Sequence, residues 1–591
     1  MSSEKCEKSS SNGHSPFDGM IIASGEETYY DPSKESWATR AGVNFESFKR
    51  APGSTRGLIA HGDIPPELLA YDNPMLQQKM QPRHLQMIAV GGAIGTGLFV
   101  GSGEALAVGG PAAILLAWTI MGIMVFFIAQ ALGELAILYP VSGGFFTLAS
   151  RMLDPSLGVA LGWNYVFQWA VTLPLEITVA TSTVMYWENA AKVPLAVWYT
   201  IFFIIIIIAA LFGTLGFAET EFWVSALKLI VVVMFLFIAV ICVCGGGPAG
   251  TVYESYVGAR YWHDPGAFAN GFKGVCSVFI TAAFSYAGSE IVSFAATETP
   301  NPRKTMPSAI KNIFWRIIIV YLSLILLIGL AIPYTEELLT KGEGANGSPF
   351  VIVMRRANIS GLDSFVNITI VLAVLAMGLT CVYGGSRPMV ALSEMGYGPK
   401  FLTYVDKSGR PLWALALILA FGPIAYLNLI DAARDKVFDW LLALSGLSTL
   451  FTWLTICLTH IRFRRAWVLQ GHSVEELPYR ASGGIWGSYL SVVLIILVLI
   501  AQFYAAVWPI GEQPTGGAAA EEFFATWLSL PVILLMYLIS WLVIRTWPKR
   551  LCDIDLDTGR KSWLTVDEMR QFRADRAAQP WYKRLYRLLF G

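Results

Sequence analysis

Charge is what this sequence has least of. Only 14% of its 591 residues are Asp, Glu, Lys or Arg and 55% are hydrophobic, whereas roughly a quarter of a soluble chain is charged. The 42 basic and 42 acidic residues cancel, so no net field draws nucleic acid or an acidic partner. Histidine (6) and cysteine (7) are scarce. The cysteines lie mostly inside apolar runs, and Cys242 and Cys244 lack the second pair that a zinc site needs, so no metal or disulfide role is expected. No nucleophile–base pair and no cofactor fingerprint is present, which leaves no basis for an enzyme. The first 80 residues are polar and have no apolar core near Met1, so no cleavable leader is expected and the first span must serve as the insertion signal.

What the chain has in abundance is long apolar runs. Crossing about 30 Å of hydrocarbon takes about 20 helical residues. Twelve runs qualify as segments 1 to 12: 85–107, 111–135, 157–187, 196–216, 222–245, 271–295, 314–333, 364–386, 412–430, 437–460, 486–509 and 523–546. Gly109-Gly110-Pro111 and Gly245-Gly246-Gly247-Pro248 punctuate them as turns do. Lys and Arg crowd into alternate connections, around Arg303-Lys304, Lys400–Lys407 and Arg462–Arg465, and into both tails, while the opposite loops hold few, among them Lys192 and Arg260. By the positive-inside rule both termini are cytoplasmic. The expected organisation is a largely disordered cytoplasmic tail (1–83), a twelve-helix domain (84–547, comprising 84–245, 270–460 and 485–547) and a second cytoplasmic tail (548–591).

Two segments are unsuited to being plain helices. Segment 1 contains six glycines in thirteen residues, Gly91 to Gly103, at mid-membrane depth. Glycine is costly in a helix interior, and non-helical backbone in a membrane is tolerated only where it lines a cavity or a ligand. The alternative is close helix packing at Gly91/Gly95 and Gly97/Gly101 spacing. Segment 6 carries a matching anomaly at Phe284-Ser285-Tyr286-Ala287-Gly288-Ser289-Glu290. Interrupted segments at corresponding positions of two five-helix halves point to an inverted-repeat transporter. Exposed N–H groups at a half-helix start bind a carboxylate, and freed carbonyls bind an ammonium, so together they recognise an α-amino acid.

At these residues the sequence resembles the fungal amino-acid permease family of the amino acid-polyamine-organocation superfamily. The likeness rests on GGAIGTGLFVGSG (91–103), GELAILYPVSGGF (133–145), GWNYVFQWAVTLPLEI (162–177), FSYAGSEIVSFAATETPNPRKTMPSAIK (284–311), ALSGLSTLFTWLTICLTHIRFR (443–464) and DIDLDTGR (553–560). The resemblance implies an all-α membrane protein with a leucine-transporter-like 5+5 inverted repeat plus two peripheral helices, and proton-driven uptake. It implies that Thr96 and Gly97 bind the substrate carboxylate, with Ile94 and Gly95 shaping the break. The carbonyls of Ala93, Phe284 and Ala287 face the amine, Ser285 lies alongside, Phe284 gates the site, and Gly288 leaves room for the substrate side chain. Relatives commonly end in an aromatic–Cys pair that is acylated, whereas this chain ends Leu589-Phe590-Gly591, so acylation there is not expected.

A charge at bilayer depth costs about 2.5 to 3.5 kcal/mol on insertion scales, so each needs a reason. Glu134 reads as a structural pair. Glu176, after Pro174, stands between a structural and a coupling role. Glu290 is either pH-responsive or a fixed hydrogen-bonded group. Lys228 is the leading candidate for proton coupling, because the resemblance places a segment 5 lysine where sodium-coupled members hold their cation; its alternative is a permanent pair with a buried carboxylate such as Glu176 or Glu290. The expected function is proton-coupled import of neutral or a broad range of α-amino acids across the plasma membrane. The expected partners are the substrate, protons, the lipid bilayer, and ubiquitin-ligase and trafficking factors on the tails. Rival readings are a non-transporting amino-acid sensor and a permease for polyamines or other organic cations.

Overall fold

The computed structural model describes residues 44–50 and two isolated positions of the N-terminal tail. It then describes residues 81–557 apart from 93, 142, 292, 294–301, 342–346, 360, 431–433 and 512–514, and scattered positions beyond. These residues form helices joined by short turns and no strand; one isolated bridge links Arg50 to Asp406. Helices are the outcome lipid demands, since each backbone donor must find its acceptor inside its own segment. Their starts follow local chemistry. Pro111 and Pro155 occupy first-turn positions where no amide partner is needed, and the Asp154 side chain accepts from the Leu157 amide at 3.1 Å.

Among the described residues, seven helices are long and apolar enough to cross a membrane, or nine if each of two bent pairs counts as one span. The expected count of twelve goes beyond this. Segment 3 is a 30-residue helix, Pro155–Val184, but Asn164, Gln168, Glu176 and several threonines lower its hydropathy. Segment 4, Leu195–Leu211, has 17 residues, and segment 6 is interrupted.

Segments 3 and 8 (Leu362–Glu394) pack against each other at the centre, where 78% of the most apolar stretch of segment 8 is buried in protein. The same measure is 28% for segment 11 (Gly484–Val507). The first is therefore core, and the second a peripheral helix whose outer side chains, such as Leu497 and Ile500, face outward as lipid requires. Residues Phe45–Phe48 of the tail form a short turn against the segment 8–9 connection, where Arg410 reaches the Ser47 hydroxyl and Tyr404 donates to the Phe48 carbonyl. Among the described cysteines, Cys242, Cys244, Cys276, Cys381 and Cys457 are free.

Candidate functional site

Segment 1 breaks where its glycines fall. It runs as α-helix over Pro82–Met87 and as wider π-helix over Ile88–Gly92, then leaves the helical path. Gly95 is extended (φ −150°, ψ −147°), and the chain resumes as Thr96–Phe99 and Gly101–Gly109, the last of these bent by 53° from the Arg83–Phe99 stretch before it. The Leu98 and Phe99 amides return to the Gly95 carbonyl, so the amides of Thr96 and Gly97 open a half-helix with no acceptor within it. Ile94, Gly95, Thr96 and Gly97 are all buried, and Ala93 lies outside the described residues.

The glycines divide by task. A Cβ on Gly97 would lie 2.6 Å from the Ser285 Cα, one on Gly101 would lie 2.8 Å from the Thr281 methyl, and one on Gly91 would lie 2.3 Å from the Ser225 hydroxyl. These three let segment 1 touch segments 6 and 5 at backbone distance, which is the packing role. Gly95 differs. Its nearest neighbour would be Met377 at 3.5 Å, an ordinary contact, so its role lies in the break.

Segment 6 breaks opposite. Phe279–Tyr286 ends at Ala287, which turns to φ −55°, ψ 147°, and Gly288 takes a left-handed φ of +88° that a side chain would strain. A Cβ on Gly288 would meet Trp169 and Ile291 at ordinary distances, so conformation and not room is what demands glycine there. The Phe284 carbonyl already accepts the Ala287 amide (3.1 Å), leaving it one lone pair for a ligand, and the Ser285 carbonyl accepts the Tyr321 hydroxyl (2.6 Å). The Phe284 ring is buried among Val171, Leu175, Leu441 and Leu444, at the seam of segments 3 and 10.

The three carboxylates and the lysine find definite partners. Glu176 accepts the Thr96 hydroxyl at 2.6 Å, while its other oxygen, also buried, has no hydrogen-bond partner among the described residues. Glu290 accepts from Tyr165 (3.1 Å), Trp453 (3.2 Å) and the Gly288 amide (3.2 Å). Glu134 pairs with Arg464 and His460 and accepts the Ala481 amide, tying segments 2 and 10 to the connection that follows. Lys228, fully buried, donates to the Gly91 carbonyl at 3.3 Å and to Glu221 at 3.5 Å. The carboxylate within hydrogen-bond distance of Lys228 is thus Glu221, with Glu176 acting on it through space. Glu221 sits seven residues earlier on the same helix, hence on the same face, and also accepts the Ser225 hydroxyl at 2.9 Å. The seven-residue spacing was a readable signal.

Arg316 is a second residue that sequence reasoning missed, because it sits at the mouth of segment 7 and passes for a loop charge. It is 2% exposed and reaches both breaks. Arg387 stacks on Tyr383 (4.1 Å to the ring centroid) and donates to Thr214, bordering a small pocket lined by Ala210, Phe217, Val382, Arg410 and Leu415 between segments 4, 5, 8 and 9.

The sequence model of the amino acid permease family matches residues 84–552. Amino-acid permease inda1 of Hypocrea atroviridis is 47% identical over 93% of this chain and 93% of its own. General amino-acid permease GAP1 of Saccharomyces cerevisiae is 46% identical, covering 86% of this chain and 85% of its own. General amino-acid permease GAP2 of Candida albicans is 44% identical over 87% of each. Among solved structures, an Eremococcus coleocola manganese transporter aligns with a TM-score of 0.48 and 14% identity, over 81% of this chain and 95% of its own. With interrupted helices meeting inside a bundle of apolar spans and a family match along most of its length, this chain is a multi-pass membrane protein that belongs to the amino acid permease family.

Proposed function

We propose that this protein imports α-amino acids across the plasma membrane, driven by protons, by alternating access around the breaks of segments 1 and 6, with both termini cytoplasmic. The observation that carries the reading is the meeting of two interrupted helices at Gly97 and Ser285, Gly97 following the break of segment 1 by two residues and Ser285 preceding the Ala287–Gly288 turn of segment 6 by two. Amides at a half-helix start favour a carboxylate, and carbonyls freed at a break favour an ammonium. An α-amino acid carries both groups at the right separation, whereas a polyamine gives the amides nothing to bind. Ile94 and Gly95 shape the break, Ser285 and Phe284 border it, and Phe284 closes over the substrate.

For coupling, Lys228 is the proton-exchanging group: its ammonium braces the Gly91 carbonyl before the break, and its loss of a proton to Glu221 or water frees that half of segment 1. Glu176, hydrogen-bonded to Thr96 and holding one unpartnered oxygen, links the substrate end of the break to the same event. Glu290 holds the shape of the segment 6 turn. The small apolar Ala287 fits neutral or broad specificity. Ubiquitin-ligase and trafficking factors would act on the tails.

The test is uptake of a labelled amino acid into cells lacking their own permeases, with competition by twenty unlabelled amino acids and by decarboxylated analogues. Uptake blocked by several amino acids but not by the analogues supports the reading. Occupancy without uptake would mark a sensor, and competition by the analogues as strong as by the parent would remove the carboxylate site.

A further inference from the structure

The side chain that joins the two breaks belongs to neither. Arg316 opens a π-helical stretch of segment 7, Arg316–Leu322, a wider turn that often marks functional positions in membrane and soluble helices alike. Its guanidinium is buried and forks: one nitrogen donates to the Ala89 carbonyl at 2.8 Å, the other to the Ser289 hydroxyl. Ala89 lies in the last π-helical turn before segment 1 breaks, and Ser289 lies in the turn at which segment 6 breaks. The acceptors are thus a carbonyl and a hydroxyl, one from each interrupted helix, and the third guanidinium nitrogen has no partner among the described residues.

Physical chemistry gives this placement a purpose. The end of a helix carries partial negative charge on its unsatisfied carbonyls, and a cation there is favoured. A planar fork with fixed donors can hold two acceptors at a set separation, which a lysine ammonium cannot reproduce. Five residues further along the same segment, the Tyr321 hydroxyl holds the Ser285 carbonyl just before the segment 6 break, and its ring lies 4.3 Å from that of Tyr286. Segment 7 therefore grips segment 6 on both sides of its turn, and through Arg316 it also grips segment 1, which the start of the same helix touches again where Gln86 donates to the Ser308 hydroxyl at 3.4 Å. A buried cation whose hydrogen-bond acceptors are a carbonyl and a hydroxyl, with the nearest acting carboxylate, Glu290, reaching it only through space, is costly unless it is needed where it sits.

We propose that Arg316 is a positioning residue that latches the segment 1 half before the break to the segment 6 turn, so that opening the site toward that half requires both of its hydrogen bonds to break. This rests on the alternating-access reading above. It assigns segment 7 a share in setting the balance between the two access states, with Ser289 as the specific partner on segment 6.

The consequence is a population shift. Weakening the latch favours the state open on the segment 1 half side, and the apparent affinity for substrate arriving from the other side falls in proportion to the lost competent fraction. Losing one charge-assisted bond corresponds to roughly a tenfold change in such a balance. The experiment measures uptake KM and maximal rate per surface copy in cells, and the KM from the opposite face in inside-out vesicles, for Arg316→Gln, Arg316→Lys and Ser289→Ala in the full chain. The expected result is an external KM raised about tenfold in Arg316→Gln, with the opposite-face KM lowered. Arg316→Lys and Ser289→Ala should show smaller shifts of the same sign, and the Ser289→Ala/Arg316→Gln double variant should shift no further than Arg316→Gln. A purely structural role would lower surface amount and maximal rate and leave both KM values alone; that outcome, or additive shifts in the double variant, overturns the proposal. If Arg316→Gln fails to reach the membrane, Arg316→Lys and Ser289→Ala decide on the same KM readout. Absence of uptake by the parent protein would instead overturn the transport reading itself.

Discussion

The two roles found for glycine in segment 1 separate in a single pair of substitutions. A Cβ on Gly97 would stand 2.6 Å from the Ser285 Cα and 2.8 Å from its amide nitrogen. Both are backbone atoms that cannot swing aside as a side-chain end can, so Gly97→Ala must push segments 1 and 6 apart. Overpacking of this kind costs about 1–3 kcal/mol, and Gly97→Val costs more. Gly95→Ala is the opposite case. Its Cβ would meet Met377 at 3.5 Å, within ordinary contact, and its extended φ of −150° suits any residue. The expected outcome is that Gly97→Ala lowers the thermal midpoint of the purified protein in detergent together with its surface amount. Gly95→Ala should keep a midpoint near the parent's and yet raise the uptake KM, because the added methyl narrows the break where the ligand is placed. Equal loss of stability in both variants would refute the division of labour, and a fully stable Gly97→Ala would refute the backbone contact on which it rests.

Further outcomes follow from the same geometry. Glu221→Gln removes the carboxylate charge that lies 3.5 Å from the Lys228 ammonium, and breaking a buried pair in this way costs about 3–5 kcal/mol. Surface expression should fall and recover in Glu221→Gln/Lys228→Met, without recovery of proton-driven accumulation; expression that stays low in the double variant would show that the two residues do not act as a pair. Phe284→Ala should lower maximal transport by impairing closure over the substrate, while Phe284→Trp retains part of it, and unchanged kinetics in the alanine variant would remove Phe284 from the mechanism.

Much of this arrangement was legible in the sequence, for reasons that are local. Glycine crowding from 91 to 103 and the Ala287-Gly288 pair announce broken helices because lipid forbids idle loss of backbone hydrogen bonds. Apolar length located the spans, although segment 3 shows how a polar interior face dilutes that signal in a helix surrounded by protein. What stayed hidden depends on which helix lies next to which. Gly97 and Gly95 are two residues apart and identical in type, yet only the first faces Ser285. Glu221 was within reach of the seven-residue rule on its own helix. Arg316 was not, since its partners Ala89 and Ser289 are far away in the chain and become neighbours only through the fold.

The central claim, that a proton gradient drives this protein to concentrate amino acids through Lys228, meets its most direct test in vesicles containing the purified full chain and an imposed pH gradient. Accumulation of labelled amino acid above the external concentration, collapsed by a protonophore and absent in a correctly inserted Lys228→Ala variant that still binds substrate, is the expected result. Gradient-driven accumulation by Lys228→Ala equal to the parent's would contradict the account, make Lys228 structural, and move the coupling site to Glu176 or Glu290.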